Sequence, residues 1–287
     1  MATARTTYVS STDGVQVAVH DFGGEGPTLL LNHATGFCAH TLQPMIEPLL
    51  PSFRCLAVDF RGHGLTGLPP GAGLTWHDLT DDYIAVVRHV APDGDALAFG
   101  HSIGGAVIIL AEGKVPGLVR RAWTYEPILL PDLPTLDGDD APDIAKAAAR
   151  RRATFGSRRE ALERYGSRPP LGLLDRRALE AYVDHGFRTD EDGSISLRCL
   201  PEHEALLFAN HGSGSEEVIG RIDLSITVAA GGATDGPADW VRRAADRHPQ
   251  LRRRDYPTLS HFGPLQDPDR IAADVAADLM VDDRSGG

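Results

Sequence analysis

Phe99-Gly100-His101-Ser102-Ile103-Gly104-Gly105 is the stretch that decides the fold, and it lies between the apolar runs Ala96-Leu97-Ala98 and Ala106-Val107-Ile108-Ile109-Leu110. A serine with glycines two residues before and two after it suits a sharp strand-to-helix turn, where the backbone is strained and strand and helix approach closely. Ser102 then stands at the tip of that turn with its hydroxyl above the sheet edge. The N–H of Ile103, in the first turn of the helix, points to where negative charge would develop. The plainer alternative is a surface turn in which Ser102 only caps a helix.

The flanking chain favours the first reading. Toward the N-terminus, Thr28-Leu29-Leu30-Leu31 is a continuous apolar run of the kind found in a strand covered on both faces, and it ends in the loop Asn32-His33-Ala34-Thr35-Gly36-Phe37. Cys55-Leu56-Ala57-Val58 reads as the next strand and stops at Asp59-Phe60-Arg61-Gly62-His63-Gly64. Between them, Leu42, Met45, Ile46, Leu49 and Leu50 predict a helix over about 39–50 that ends at Pro51. Thr75 with Asp78 three residues later begins another helix, whose buried stripe is Leu79, Tyr83, Val86, Val87 and Val90. Residues 7–20, with an Asp13-Gly14 turn and alternating Val15, Val17 and Val19, predict a hairpin at the start of the sheet.

Beyond the turn, residues 118–125 read as a further strand, and the rhythm of strand and helix required by a mostly parallel sheet holds to that point. It breaks at Glu126. Residues 127–212 carry proline- and aspartate-rich turns, a basic and alanine-rich stretch from Ile144 through Leu162, and helix-like segments near 175–186 and 201–210. They read as a helical insertion that walls off a pocket at the carboxyl edge of the sheet. The sheet resumes with Ile222–Ala230, ending at Gly231-Gly232-Ala233-Thr234-Asp235. A helix near 238–247, an edge strand at 251–256 and a last helix with Asp267 as cap and Pro268 in first position complete the chain. The expected organisation is one α/β core from 1–126 and 213–287, with 127–212 as the insertion.

Composition narrows the partners. The 287 residues carry 28 Lys and Arg against 40 Asp and Glu, a formal charge of -12 that argues against nonspecific binding to nucleic acid or an anionic membrane. The N-terminal residues have no apolar core of a secretion signal and no stretch approaches membrane-spanning length, so a soluble cytoplasmic protein is expected. Cys38, Cys55 and Cys199 are far apart and suggest neither a disulfide framework nor a zinc site. No metal or cofactor is expected. A homo-oligomer is compatible with the sequence.

A serine hydroxyl becomes a useful nucleophile when a base takes its proton and a third group holds the base. Ser102, Asp235 and His261 all follow predicted strands, in the order nucleophile, acid, base. His261 is preferred as base because its loop joins the last strand to the last helix. Asp235 is preferred as acid because it is the first carboxylate after a strand ending in two glycines.

These pieces together resemble the α/β-hydrolase superfamily, in its branch with a helical cap. The resemblance rests on His33-Ala34-Thr35-Gly36-Phe37, Asp59-Phe60-Arg61-Gly62-His63-Gly64, Gly100-His101-Ser102-Ile103-Gly104, Gly232-Ala233-Thr234-Asp235 and Ser260-His261-Phe262. It implies Ser102 as nucleophile, His261 as base, Asp235 as acid, and the amides of Thr35 and Ile103 as the oxyanion hole. The chain departs from the pattern by carrying His33-Ala34 where His-Gly is usual, which leaves Gly36 and Phe37 as alternative amide donors. Glu126, after the strand that follows the serine turn, stands where some members of the superfamily carry their acid.

Similar enzymes that open epoxides or remove halide use an aspartate at the turn, and Ser102 speaks against both. The expected activity is hydrolysis of a small to medium acyl substrate, an ester or thioester, through an acyl-enzyme. The alternatives are amide or carbon–carbon hydrolysis, a cofactor-free haloperoxidase-like reaction, a biosynthetic transferase or cyclase, and a noncatalytic binding protein on the same scaffold. His33, Asp59 and Arg61 are expected to hold loops, and Cys38 to pack near the pocket. His101 is balanced between lining and packing. Arg150-Arg151-Arg152 with Arg158-Arg159 reads as a solvated helix face, with docking of an anionic acyl carrier as the sharper alternative.

Overall fold

The computed structural model describes residues 4–131, 136, 138–210 and 214–280. Its strands are β1 (Arg5–Ser10), β2 (Gln16–Gly23), β3 (Thr28–Asn32), β4 (Arg54–Val58), β5 (Leu97–His101), β6 (Arg121–Tyr125), β7 (Thr154–Phe155), β8 (Phe187–Thr189), β9 (Ile195–Leu197), β10 (Ser225–Gly231) and β11 (Arg252–Tyr256). Its helices are α1 (Gln43–Ile46), α2 (Trp76–Val90), α3 (Ile103–Lys114), α4 (Asp143–Ala149), α5 (Arg158–Gly166), α6 (Arg176–His185), α7 (Pro201–Ala209), α8 (Ser215–Ile219), α9 (Gly236–Arg247), α10 (Gly263–Gln266) and α11 (Pro268–Leu279). None of the described helices is long and apolar enough to cross a membrane.

Eight strands form one sheet in the order β1-β2-β4-β3-β5-β6-β10-β11. The hairpin β1–β2 and the β2–β4 pair are antiparallel, and every other neighbour is parallel. This is the α/β-hydrolase architecture expected, a mostly parallel sheet flanked by helices. Alternate residues of the central strands feed opposite layers. Leu30, Leu56 and Ala98 pack with α2, α3 and α9, whereas Leu29, Leu31, Cys55 and Phe99 pack with α1 and α11. Leu29, Leu30 and Leu31 are all fully buried, which is why that run lacks the polar alternation of a one-sided strand.

Two segments differ from expectation. The helix predicted over 39–50 is broken into a 3₁₀ turn at Ala39–Leu42, the single turn α1, and a second 3₁₀ turn at Glu47–Leu49. Pro44 and Pro48 remove the backbone donors a continuous helix would need. The segment between β6 and β10 is also not purely helical: β7, β9 and β8 form a small antiparallel sheet beside α4–α7. The basic stretch after Ile144 stops being helical at Ala149, so α4 and α5 are separate and Arg151 lies in the turn between them.

This segment is tied at several points to the helices and turns that flank the large sheet. Trp76 Nε1–H donates to the Leu207 carbonyl at 3.0 Å, and the Asp175 N–H donates to the Leu265 carbonyl at 2.8 Å. Arg177 pairs with Asp269 at 2.7 Å, and the His40 and His185 rings stack with centroids 3.8 Å apart.

Asp59 and Arg61 hold backbone, as expected. Asp59 accepts from the Ala39 N–H at 2.7 Å and the Leu65 N–H at 2.8 Å, and Arg61 donates to the Gly73 carbonyl at 2.9 Å. Arg61 also makes a two-pronged pair with Asp82 of α2, both contacts at 2.7 Å, with its side chain fully buried. Removing the guanidinium would leave a buried carboxylate without its counter-charge. Arg61→Ala is therefore expected to cost about 3–5 kcal/mol in urea unfolding. Arg61→Lys should recover part of it, since one ammonium cannot serve both carboxylate oxygens and the turn carbonyl.

Candidate active site

The serine turn is built as its spacing requires. Ser102 sits between β5 and α3 with φ 57° and ψ -120°, a backbone region that L side chains rarely occupy. A Cβ at Gly100 would lie 2.5 Å from the Gly105 nitrogen, and one at Gly104 would lie 2.6 Å from the Asn32 carbonyl oxygen. The two glycines are thus conditions for strand, turn and helix to coexist.

Ser102 Oγ–H donates to His261 Nε2 at 3.0 Å, and His261 Nδ1–H donates to Glu126 Oε2 at 2.7 Å. These contacts fix the tautomer of His261 and join three residues that lie 159 and 135 positions apart in pairs. Glu126 follows β6, is 1% exposed, and has φ 41°. Its other oxygen, Oε1, accepts from the Gly231 N–H at 2.7 Å, so the carboxylate is held across two neighbouring strands. A Cβ at Gly231 would come 2.7 Å from that oxygen.

Asp235, the acid expected from sequence, does not meet His261. It is the exposed residue before α9 and its side chain makes no capping hydrogen bond. The cause is the path of the chain after β10. The Gly232 N–H donates to the Leu259 carbonyl at 2.7 Å, while Arg242 of α9 donates to the carbonyls of Gly231 and Ala233. This pins the 232–235 turn against α9 and leaves the inner position beside the imidazole to Glu126. The order nucleophile, acid, base along the chain is kept.

The loop after β3 approaches Ser102 from the other side. Its amides are sorted by their hydrogen bonds: the Gly36 N–H donates to His63 Nε2 at 3.1 Å, the Phe37 N–H donates to the Ala34 carbonyl at 3.2 Å, and the Thr35 N–H has no partner among the described residues. Of these three amides, Gly36 and Phe37 are engaged and Thr35 is not, while Ile103 is the first residue of α3, whose N–H has no intrahelical acceptor. Thr35 and Ser102 both border a cavity of 370 Å³.

Neutral histidines brace this loop. His33 Nδ1–H donates to the Ala34 carbonyl at 2.8 Å while its Nε2 accepts from the Phe60 N–H at 3.2 Å. His63 Nδ1–H donates to the Arg61 carbonyl at 3.0 Å while its Nε2 accepts from Gly36. Each ring needs one bare nitrogen, and burial favours that state by lowering both pKa values, that of His63 to about 3. His101 is also fully buried: its Nε2–H donates to the His261 carbonyl at 2.7 Å, its Nδ1 has no partner among the described residues, and burial, with the neighbouring His261 second, lowers its pKa to about 3. It holds the His261 loop and does not line the cavity. Cys38 is buried, and burial together with Asp59 pushes its thiol up to about 12, so it packs as expected and is no thiolate.

Sequence reasoning missed the inner role of Arg151 and the part played by Glu204. Arg151 is half-buried where its neighbours Arg150 and Arg152 are exposed. Its Nη1 pairs with Glu204 Oε2 of α7 at 2.7 Å, and its Nη2 donates to the Tyr182 hydroxyl. Both residues border the Ser102 cavity with Phe37, Ile144, Ala147 and Phe208. Glu204 lies over the β3 loop so closely that a Cβ at Gly36 would sit 2.4 Å from its Oε1. Arginine triplets carry no signal that one member turns inward.

Comparison with known proteins agrees with the fold. A family model described as "Alpha/beta hydrolase family" matches residues 17–274. A curated 2-(acetamidomethylene)succinate hydrolase of Mesorhizobium japonicum is 36% identical over 97 residues, 34% of this chain and 34% of that protein. The probable oxidoreductase EphD of Mycobacterium tuberculosis is 26% identical over 300 residues, 93% of this chain but 48% of that protein. The chain thus spans about a third and about half of these relatives' lengths. Among solved structures, an E-2-(acetamidomethylene)succinate hydrolase superposes with a TM-score of 0.79 at 19% identity, covering 97% of this chain and all (100%) of that one. A thermophilic esterase from Thermogutta terrifontis gives 0.71 at 20% identity, covering 96% and 98%.

The buried imidazoles make stability pH-dependent. Their folded pKa values lie below the ordinary 6.5, so between 6.5 and about 3 the unfolded chain binds protons that the folded chain does not. Stability is fully present above that window and falls as pH drops through it. Each such histidine is expected to contribute a slope of about 1.4 kcal/mol per pH unit. Urea unfolding of His63→Gln, which cannot titrate, should show the wild-type slope reduced by about one such share.

Proposed function

We propose, from the premise that the chain belongs to the alpha/beta hydrolase family, that it is a serine hydrolase cleaving a carboxylic ester or thioester through Ser102, His261 and Glu126. The observation that carries this reading is the continuous hydrogen-bond path from the Ser102 hydroxyl through the His261 ring to a buried carboxylate.

In the first half-reaction Ser102 Oγ attacks the substrate carbonyl and its proton passes to His261 Nε2. The Glu126 carboxylate stabilises the resulting imidazolium through Nδ1–H without taking the proton. The N–H groups of Ile103 and Thr35 hold the tetrahedral oxyanion, each such donor being worth about 3–4 kcal/mol in the transition state. His261 then returns its proton to the departing alcohol or thiol, leaving an acyl-serine. In the second half-reaction water attacks that acyl group, gives its proton to His261 Nε2, and the acid and free Ser102 result. Residues 127–212 serve as the cap over the site, with Ile144, Ala147 and Phe208 supplying apolar walls for a small or medium acyl chain.

Amide hydrolysis is the second reading, favoured by the name of the Mesorhizobium relative and by a solved deformylase that superposes with a TM-score of 0.74 at 17% identity. The same residues would serve, with nitrogen as the leaving atom.

Covalent labelling by a fluorophosphonate and turnover of p-nitrophenyl esters, acyl thioesters and acyl amides of graded length test the assignment. Ser102→Ala should abolish labelling while the fold persists, and labelling at wild-type level would remove Ser102 from the role. Glu126→Gln should lower kcat by about ten-thousandfold, the loss expected when a buried acid behind the base is neutralised. Asp235→Asn should leave kcat within about twofold, as befits an exposed position away from the imidazole. A reversal of these two results would restore Asp235 as the acid.

A further inference from the structure

Beside the Ser102 cavity lies a second concavity of 270 Å³ whose walls carry Arg150, Arg151, Arg152, Arg164 and Arg168 and no acidic residue. The two spaces share Arg151, Pro170 and Leu171, so they adjoin along the cap side of the site. Five guanidinium groups around one cleft are conspicuous on a chain of net charge -12.

The cluster is only partly neutralised. Arg151 is paired with Glu204, and Arg152 with Glu160 at 2.7 Å. The guanidinium groups of Arg150, Arg164 and Arg168 have no hydrogen-bond or ion-pair partner among the described residues, and all three are exposed. Glu160, which Arg152 pairs with, also feels the charge of Arg164, so two carboxylates face five arginines and the excess concentrates positive potential where it can steer an anion. The planar fork of arginine also matches the oxygen pairs of carboxylate and phosphate.

We infer that this cleft is a subsite for an oxyanion, carboxylate or phosphate, carried by the substrate whose acyl carbonyl sits at Ser102. The inference rests on the proposed hydrolase reading for the placement of that carbonyl. The division of labour between the two spaces comes from their linings. The inner cavity offers Phe37, Ile144 and Phe208 to an apolar portion, and the outer cleft, lined by the exposed Arg150, Arg164 and Arg168, suits a charged end that remains near water. Phe155 and Tyr165 add aromatic surface to the same lining.

The test compares p-nitrophenyl esters of one acyl length, a neutral pentanoate and the half-ester of glutarate, with an acyl thioester of a phosphate-bearing thiol. The anionic substrates are expected to exceed the neutral ester in kcat/KM by about tenfold or more, and the excess should shrink with added salt. In the double variant Arg164→Ala/Arg168→Ala the anionic-to-neutral ratio should fall toward about one. An excess for the glutarate ester alone identifies carboxylate as the ligand, and an excess for the thioester alone identifies phosphate. Equal kcat/KM for neutral and anionic substrates, or a preference that survives in the double variant, overturns the inference. Calorimetric binding of glutarate and of pyrophosphate to wild type and double variant separates this from failure of the hydrolase reading. If no ester is turned over, binding lost in the double variant still supports the subsite while the serine mechanism falls, and absence of binding to the wild type overturns the subsite.

Discussion

The structure depends on one backbone constraint, the positive φ of Ser102 between a buried strand and a buried helix. A side chain in that conformation is disfavoured by its own sterics, and it persists because both neighbours are fixed by burial. β5 is paired on both edges, with β3 and with β6, and α3 is buried through most of its length. Gly100 and Gly104 admit the close approach, and the Ser102 N–H still donates to the Tyr125 carbonyl at 3.0 Å. The same bond draws the end of β6, and with it Glu126, to the side of the turn.

Around this point the protein uses uncharged imidazoles as braces. His33, His63 and His101 each bond a main-chain group of a loop that borders Ser102 or of the His261 loop itself. A neutral ring can donate on one side and accept on the other, which suits a loop that must present one amide and bury the rest. Asp59 adds a charge beneath the same loops. Burial opposes its ionisation, but the His20 hydrogen bond and the Ala39 N–H outweigh that and hold its carboxyl below the usual range. The His261 imidazole, by contrast, is partly exposed, with 29% of its side chain open, and it alone of these rings borders the cavity.

Much of this was legible in the chain itself, for physical reasons that differ from part to part. The run Leu29–Leu31 and the spacing Gly100-x-Ser102-x-Gly104 report burial and steric room, both local properties, and both the sheet and the serine turn arise from them. The capping box at Thr75 and Asp78 and the cap at Asp267 are local too, and both are present. The choice between Glu126 and Asp235 is not local. Each comes after a strand, and what separates them is the course of the 232–235 turn, fixed by Arg242 reaching back from α9 and by Leu259 from another loop. Arg151 was illegible for the same reason, since its inward turn depends on Glu204 and Tyr182, which lie 53 and 31 positions away. The small sheet of β7, β9 and β8 escaped because strands of two and three residues carry too little periodicity to read.

The carboxylate behind the imidazole is clamped between β6 and β10, one oxygen on the Gly231 amide and the other on His261. Both of its hydrogen-bond partners, Gly231 at the end of β10 and His261, lie outside the 232–235 turn. Under the proposed mechanism the side chains at 233–235 then carry no catalytic role, and substitutions there that keep the main-chain bonds of Gly232 and Ala233 are tolerated where an acid seated at 235 would forbid them.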